Sequence, residues 1–283
     1  MKGKTCVITG ATDGIGLEAA TRLGALGAGL VLVGRNREKG ARALQRLRAR
    51  VPGVSAELLY ADLSRRDEIL RLAPELLRAA PRIDVLLNNA GAFFARRDVT
   101  EEGLERTFAL NHMGYFLLAH LLRERIIASA PARIVNVASG AHYNAILDFD
   151  DLQCAERYSG WLAYQRSKLC NILFTRELAR RLGGTGVTAN CLHPGFVATS
   201  FGDNNRGFFR WGLGLAKRFT AISAERGAAT PVYLASSAEV ETISGRYFCE
   251  CHEQAPSAAA QDDAAAARLW RESAKLAGLP ASA

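Results

Sequence analysis

The chain has 283 residues, 49% hydrophobic and 23% charged, with 26 Gly and 8 Pro, a balance that excludes a disordered, collagenous or low-complexity protein. Lys and Arg outnumber Asp and Glu by 36 to 28, a net charge of +8. Yet Arg42, Arg46, Arg48 and Arg50 alternate with Ala and Leu as on a solvated helix face, so only Arg35 to Arg50 could serve nucleic acid and no nucleic-acid partner is expected.

In chain order, short apolar runs predict strands at Thr5 to Thr9, Gly29 to Val33, Ala56 to Tyr60, Val85 to Asn88, Arg133 to Ala138 and Val187 to Leu192, with a weaker one at Arg246 to Cys249. Helical patterns separate them at Ile15 to Leu26, Glu38 to Arg50, Asp67 to Ala79, Glu102 to Arg125, Trp161 to Leu182 and Ala224 to Ala235. Strands divided by helices imply right-handed parallel crossovers, hence an α/β fold with a single doubly wound Rossmann-type parallel sheet and helices on both faces. No repeat or linker divides the chain, so residues 1–283 are expected to form one domain. The stretch 199–222 breaks the alternation after a strand's carboxyl end and is expected to be a substrate lid, with a structural excursion as the alternative. A C-terminal helix at 261–276 is expected to dock through Leu269, Trp270 and Leu276.

No apolar run approaches the roughly 18 to 20 residues of a membrane span, and Met1 to Lys4 leads straight into Thr5 without a secretory apolar region. A cytoplasmic protein with no membrane span is therefore expected. The six cysteines are scattered through apolar surroundings, as reduced thiols are. Cys249, Cys251 and His252 suggest metal ligands, but two cysteines one residue apart on a strand point to opposite faces, and no metal is expected.

The first strand runs through Thr9, Gly10, Ala11, Thr12, Asp13, Gly14, Ile15 and Gly16 into a helix. Glycines at 10, 14 and 16 let the backbone turn sharply and approach a pyrophosphate facing the free amides of a helix start, which points to a dinucleotide. A structural turn looks the same when read alone. The spacing is TGxxxGxG, and on it the chain resembles the short-chain dehydrogenase/reductase family. The second strand ends in Gly34, Arg35 and Asn36, with no carboxylate for ribose hydroxyls; Gly34 leaves room and the Arg35 guanidinium suits a 2′-phosphate, so NADP(H) is favoured over NAD(H). An exposed arginine opening a helix is the alternative. Asp62, beside Leu63, matches the family's adenine-contacting aspartate, and Asn88, Asn89, Ala90 and Gly91 match its NNAG motif. Read alone, Asp62 is a helix cap and the asparagines are turn formers.

Tyr164 and Lys168, four apart on a predicted helix, project from one face. An ammonium near a phenol, whose free pKa is about 10, favours phenolate and eases proton exchange. Most such pairs are surface decoration. Ser139 ends the fifth strand, Asn111 lies in a helical stretch that an amide serves poorly, and His193, Pro194 and Gly195 end the sixth strand. In the family pattern Asn111, Ser139, Tyr164 and Lys168 match the four catalytic positions, and Pro194, Gly195, Val197 and Thr199 match a loop that wraps the nicotinamide. The resemblance implies Tyr164 as general acid or base, Ser139 polarising the carbonyl oxygen, Lys168 lowering the Tyr164 pKa and binding ribose hydroxyls, and Asn111 holding a relay water. Hydride transfer belongs to the cofactor. His193 is given no catalytic part.

Asn111 to Gly114, and Tyr164 through Leu178, look like the retinol dehydrogenase and WW-domain oxidoreductase branch. So does the 25-residue gap from Ser139 to Tyr164, whose added stretch, Ala141 to Gly160, is expected to border the substrate cleft. The apolar anchor of membrane-bound members and the WW modules are not found in this sequence, which weakens the case for retinoid as the natural substrate and leaves the chemistry untouched. Phe93, Phe94, Tyr143, Phe196, Phe201, Phe208, Phe209 and Trp211 suggest an apolar pocket for a bulky or long-chain aldehyde or ketone. The expected function is an NADP(H)-dependent oxidoreductase acting on a small-molecule carbonyl or alcohol. The alternative is an NADPH-binding regulatory or sensor protein without turnover. Homodimers or homotetramers follow the family habit.

Overall fold

Each of the first six strands is followed by a chain segment that returns to the same end of the sheet, so neighbouring strands there pair in parallel. In the computed structural model, which describes residues 1–195 and 223–280, the order across the sheet is β3-β2-β1-β4-β5-β6-β7-β8. The strands are β1 Thr5–Thr9, β2 Gly29–Gly34, β3 Ala56–Tyr60, β4 Val85–Asn88, β5 Ala132–Val137, β6 Val187–His193, β7 Tyr247–Cys249 and β8 His252–Gln254. The order reverses where β1 pairs with both β2 and β4, and in doubly wound sheets ligands bind outside the carboxyl ends of the strands at this switch point.

The strands read as near-continuous apolar runs because both faces are covered. In β1, Cys6 and Ile8 enter one core with Leu30, Leu32, Val85 and Leu87, while Val7 enters the other with Val31, Val33 and Leu86. Helices α1 Gly14–Ala25 and α2 Arg37–Arg50, with the short helix Ala229–Ser236, cover the first face. Helices α3 Arg66–Ala79, α5 Gly114–Ala128 and α6 Gly160–Arg181, with the C-terminal helix Asp263–Leu276, cover the second. Trp270 of the C-terminal helix lies 5.0 Å from the Phe116 ring and stacks on Phe174 at 5.8 Å, and Ser273 Oγ meets His112 Nε2 at 2.8 Å.

Four expectations change. The helix foreseen at Glu102 to Arg125 begins only at α4, Arg106–Phe108, because Gly103 turns the chain and Glu105 caps the Thr107 and Phe108 amides at 2.9 and 2.7 Å. A π turn, Ala109–Met113, then joins α4 to α5. The stretch Ala224 to Ala235 is two helices, Ala224–Gly227 and Ala229–Ser236, with Ala228 between them. The sheet gains an antiparallel edge strand, β8, and is therefore not wholly parallel. Cys251 stands in the turn between β7 and β8 rather than on a strand: Glu250 and Cys251 have φ of 49° and 64°, and the Cys251 amide donates to Thr230 Oγ1 at 3.1 Å. The foreseen lid at 199–222, with Val197, Thr199, Phe196, Phe201, Phe208, Phe209 and Trp211, lies outside the described residues. Among the described residues no helix is long and apolar enough to cross a membrane.

Candidate active site

The β1–α1 turn is built by close approach. Gly10 and Gly14 have φ of 64° and 51°, a region that glycine occupies without strain. A Cβ on Gly16 would collide with the Gly10 carbonyl and with Asn89 Nδ2, and one on Gly10 would lie 2.8 Å from Ala90 Cα. Asn89 holds the turn, donating from Nδ2 to the carbonyls of Thr9 at 2.8 Å and Gly10 at 3.2 Å. Thr9 Oγ1 accepts from the amides of Asn89 and Ala90 at 2.9 and 3.0 Å. Asp13 caps α1 by accepting from Gly14 N at 2.8 Å, and Ile15 packs against the core below. These residues fit a dinucleotide: Gly10, Gly14 and Gly16 keep Cβ atoms out of the strand-to-helix turn, where a pyrophosphate would approach the helix start.

At the end of β2, Gly34 makes room for a side chain of the protein itself, because a Cβ there would collide with Thr12 Cγ2. Arg35, half-exposed, pairs with Asp62, Nη1 to Oδ2 at 3.3 Å. Asp62 Oδ1 also accepts from the amide and hydroxyl of Ser64 at 3.0 and 2.6 Å. Burial raises the Asp62 pKa, but the bonds from Ser64 and Arg35 outweigh it and hold the carboxyl below its ordinary range. Asn36 caps α2, its Oδ1 accepting from Lys39 N at 2.8 Å. Leu63 is buried, its carbonyl so close to Gly114 that a Cβ there would stand 2.7 Å away. Pro194 and Gly195, the latter with φ of 85°, leave β6 on the same side of the sheet.

The four expected catalytic residues converge beyond β4 and β5. Lys168 is buried on α6 and donates from Nζ to the Val137 carbonyl at 2.9 Å, two residues before Ser139. A Cβ on Gly91 would lie 3.2 Å from Asn111 Oδ1 and 3.4 Å from Lys168 Nζ, so both groups face that glycine. Asn111, in the π turn, spends its amide on the protein: Oδ1 accepts from Ala92 N at 2.8 Å, and Nδ2 donates to Ala92 O and Ser167 Oγ, each at 3.0 Å. This leaves Oδ1 one further lone pair on the side of Gly91, which Lys168 Nζ also faces. Burial pushes the Tyr164 phenol up to about 12, with the Ser139 hydroxyl pulling it back, and burial pushes Lys168 down to about 7. Lys168 Nζ stands 5.8 Å from the Tyr164 ring centre. Between these side chains alone, burial outweighs the charge effect foreseen for Lys168.

Phe93 meets the Tyr164 ring edge-on at 6.2 Å, and Trp161 stacks on it at 5.8 Å while remaining half-exposed. Trp161 escaped the sequence reading because one aromatic at a helix start has no motif. The inserted stretch is tied beside the cleft by Tyr158, whose hydroxyl donates to Phe94 O at 2.8 Å. Asn136 was also missed: Asn88 Nδ2 donates to its Oδ1, and its Nδ2 to Thr175 Oγ1, each at 2.9 Å, a buried polar chain linking β4, β5 and α6.

The fold agrees with the family comparison, in which the short chain dehydrogenase model matches residues 4–207. The chain belongs to the short-chain dehydrogenase family, and is therefore an oxidoreductase built for a nicotinamide nucleotide. Within the family it falls in the retinol dehydrogenase-like branch. It is similar to human retinol dehydrogenase 14, 42% identical over 99% of this chain and 88% of that protein, and to human retinol dehydrogenase 13, 39% identical over 99% and 86%. Among solved structures it resembles an uncharacterized protein from Mycobacterium paratuberculosis, with TM-score 0.79 and 30% identity over 98% of this chain and 94% of that one. A short chain dehydrogenase from Burkholderia cenocepacia, solved in complex with NADP, shares the fold at TM-score 0.69 and 24% identity over 92% of this chain and 99% of that one.

Proposed function

We propose that the protein is an NADP(H)-dependent carbonyl reductase or alcohol dehydrogenase acting on an apolar aldehyde or ketone. The observation that carries this reading is the convergence of Ser139, Tyr164, Lys168 and Asn111 beside the glycine turn. A nicotinamide nucleotide held by the glycine turn would supply or accept the hydride. Tyr164 delivers a proton to the carbonyl oxygen in reduction and removes it from the alcohol in oxidation. Ser139 donates a hydrogen bond to the same oxygen, where charge develops. Lys168 in its ammonium form favours the phenolate and holds ribose hydroxyls, while Asn111 anchors the Ala92 loop to α6. Burial alone keeps the Tyr164 phenol protonated, the form that donates in reduction; oxidation needs the phenolate, which the Lys168 ammonium favours.

Preference for NADP(H) is supported by Arg35. Its pair with Asp62 is exposed and contributes at most about 1 kcal/mol, so the guanidinium turns to a 2′-phosphate at little cost, offering forked donors. The apolar substrate is supported by Phe93 and Trp161 around Tyr164, and by relatives named as retinol dehydrogenases. The remaining site assignments are the glycine turn with Thr12, Asp13 and Ile15 for the pyrophosphate, Asp62 and Leu63 for the adenine, and Pro194, Gly195, Val197 and Thr199 for the nicotinamide. We also assign the protein to the cytoplasm as a homodimer or homotetramer. Absorbance-monitored oxidation of NADPH and NADH across aliphatic, aromatic and retinoid aldehydes and ketones tests the reading. Faster oxidation of NADPH with apolar aldehydes is expected. Tight NADPH binding with no oxidation by any carbonyl would favour the non-catalytic sensor.

A further inference from the structure

We propose that His142 is the positioning residue for the Ser139 hydroxyl, its imidazole latching the Ser139 carbonyl to the main chain of Ser257; this rests on the catalytic reading of Ser139 above. Ser139 is the last extended residue of its segment, with φ −165° and ψ 153°, and caps the short 3-10 turn Gly140–Asn144. The direction of its carbonyl sets ψ and the path of the chain into Ala141, whose amide donates to Ser139 Oγ at 3.2 Å, so holding the carbonyl holds the bond that orients the hydroxyl. His142 holds that carbonyl twice. Its imidazole Nδ1 lies 2.7 Å from Ser139 O, and its main-chain amide donates to the same oxygen at 3.3 Å.

The other ring nitrogen fixes the proton. Ser257 N donates to His142 Nε2 at 3.2 Å. A backbone amide can only donate and a carbonyl can only accept, so Nε2 is the acceptor and Nδ1 carries the hydrogen. The ring is the neutral Nδ1–H tautomer, with both nitrogens used. His142 is fully buried, with Tyr143 at 4.1 Å and the edge of Tyr247 at 5.0 Å. Burial also holds its pKa below the ordinary histidine range, opposed in part by the Ser139 bond. His193 is the neighbouring titratable ring, pressed so close to Gly140 that a Cβ there would stand 3.1 Å from its Nε2. Ser139 is thus braced from the segment after β8, remote in sequence from the rest of the site.

The two ring nitrogens can be replaced one at a time. The asparagine amide nitrogen falls near imidazole Nδ1, whereas a glutamine amide reaches toward Nε2. His142→Asn therefore keeps the donor to Ser139, and His142→Gln keeps the contact with Ser257 and loses the latch. We expect kcat, measured with NADPH and the fastest aldehyde of the panel above, to fall about tenfold in His142→Gln and less than about threefold in His142→Asn. The NADPH Kd and the melting temperature should be alike in the two variants. Ser257→Pro removes the donor to Nε2 at a φ of −57° that proline adopts, and should lower kcat severalfold. Long-range proton–nitrogen NMR of the His142 ring, identified by its loss in His142→Asn, should show the Nδ1–H tautomer. Equal kcat losses in both His142 variants, an unchanged His142→Gln, or an Nε2–H ring would each overturn the inference. If neither His142 variant folds, Ser257→Pro and the tautomer decide. Tyr164→Phe, run in the same assay, separates the two levels: full activity there would overturn the catalytic reading itself.

Discussion

At the phosphate end of the cleft the contacts are made by main chain, glycine and two small polar side chains, Thr9 and Asn89. At the reacting end they are made by buried side chains whose protonation is set by their surroundings, Tyr164 upward and Lys168 downward. The first is a shape that tolerates no added atoms, and its role is met once the backbone is formed. The second is an electrostatic arrangement, in which losing one functional group leaves the shape intact and changes the proton. Variants at the two ends should accordingly fail in different observables.

The largest effect on binding is expected at Gly16, where a methyl group meets the Gly10 carbonyl and Asn89 Nδ2. Gly16→Ala should weaken NADPH at least tenfold by calorimetry, because either the turn or Asn89 must move. Lys168→Met should weaken NADPH binding severalfold through loss of the proposed ribose contact, largely abolish turnover and stabilise the fold. Its folded pKa of about 7 lies below the 10.5 of an ordinary lysine. The unfolded chain therefore binds more protons between those values, and this residue makes stability rise with pH across that window. The variant should melt about 5 °C higher than the parent at pH 6, the gap closing toward pH 10. A parent more stable than the variant at pH 6 would contradict the burial argument. The smallest effect belongs to Arg35, since its ion pair is exposed. Arg35→Ala should raise the KM for NADPH about tenfold and leave NADH nearly unchanged; alanine is the cleaner choice because a carboxylate there would face Asp62 at close range.

The same contrast explains what could be read from the sequence. The strands β1, β3 and β4 begin and end where their apolar runs do, and the others differ by one residue, because a sheet covered on both faces leaves an uninterrupted β-rich run. β8 was invisible: His252, Glu253 and Gln254 are exposed and polar, and the tight turn before them uses Glu250 and Cys251 at positive φ, where Asn-Gly would have announced a hairpin. The break at Asn111 was hidden because nearly every residue from Ala109 to Ala119 is buried, so the shift in helical phase at the π turn displaces no polar face. Asn111, Ser139, Tyr164 and Lys168 were expected from their match to the family pattern, and the fold brings them to one end of the sheet. His142 was not, since its function lies in a contact with Ser257, 115 residues away. Gly34 was seen as an empty place for a ligand, whereas its neighbour is Thr12.

The most direct test of the account compares Tyr164→Phe with the parent in parallel NADPH titrations and single-turnover reductions of the preferred aldehyde. The substitution removes one oxygen and keeps the ring between Phe93 and Trp161. Unchanged NADPH affinity with hydride transfer slowed by about 10³-fold or more is the predicted result. Turnover equal to the parent's would show that the proton comes from elsewhere and would contradict the assignment of Tyr164.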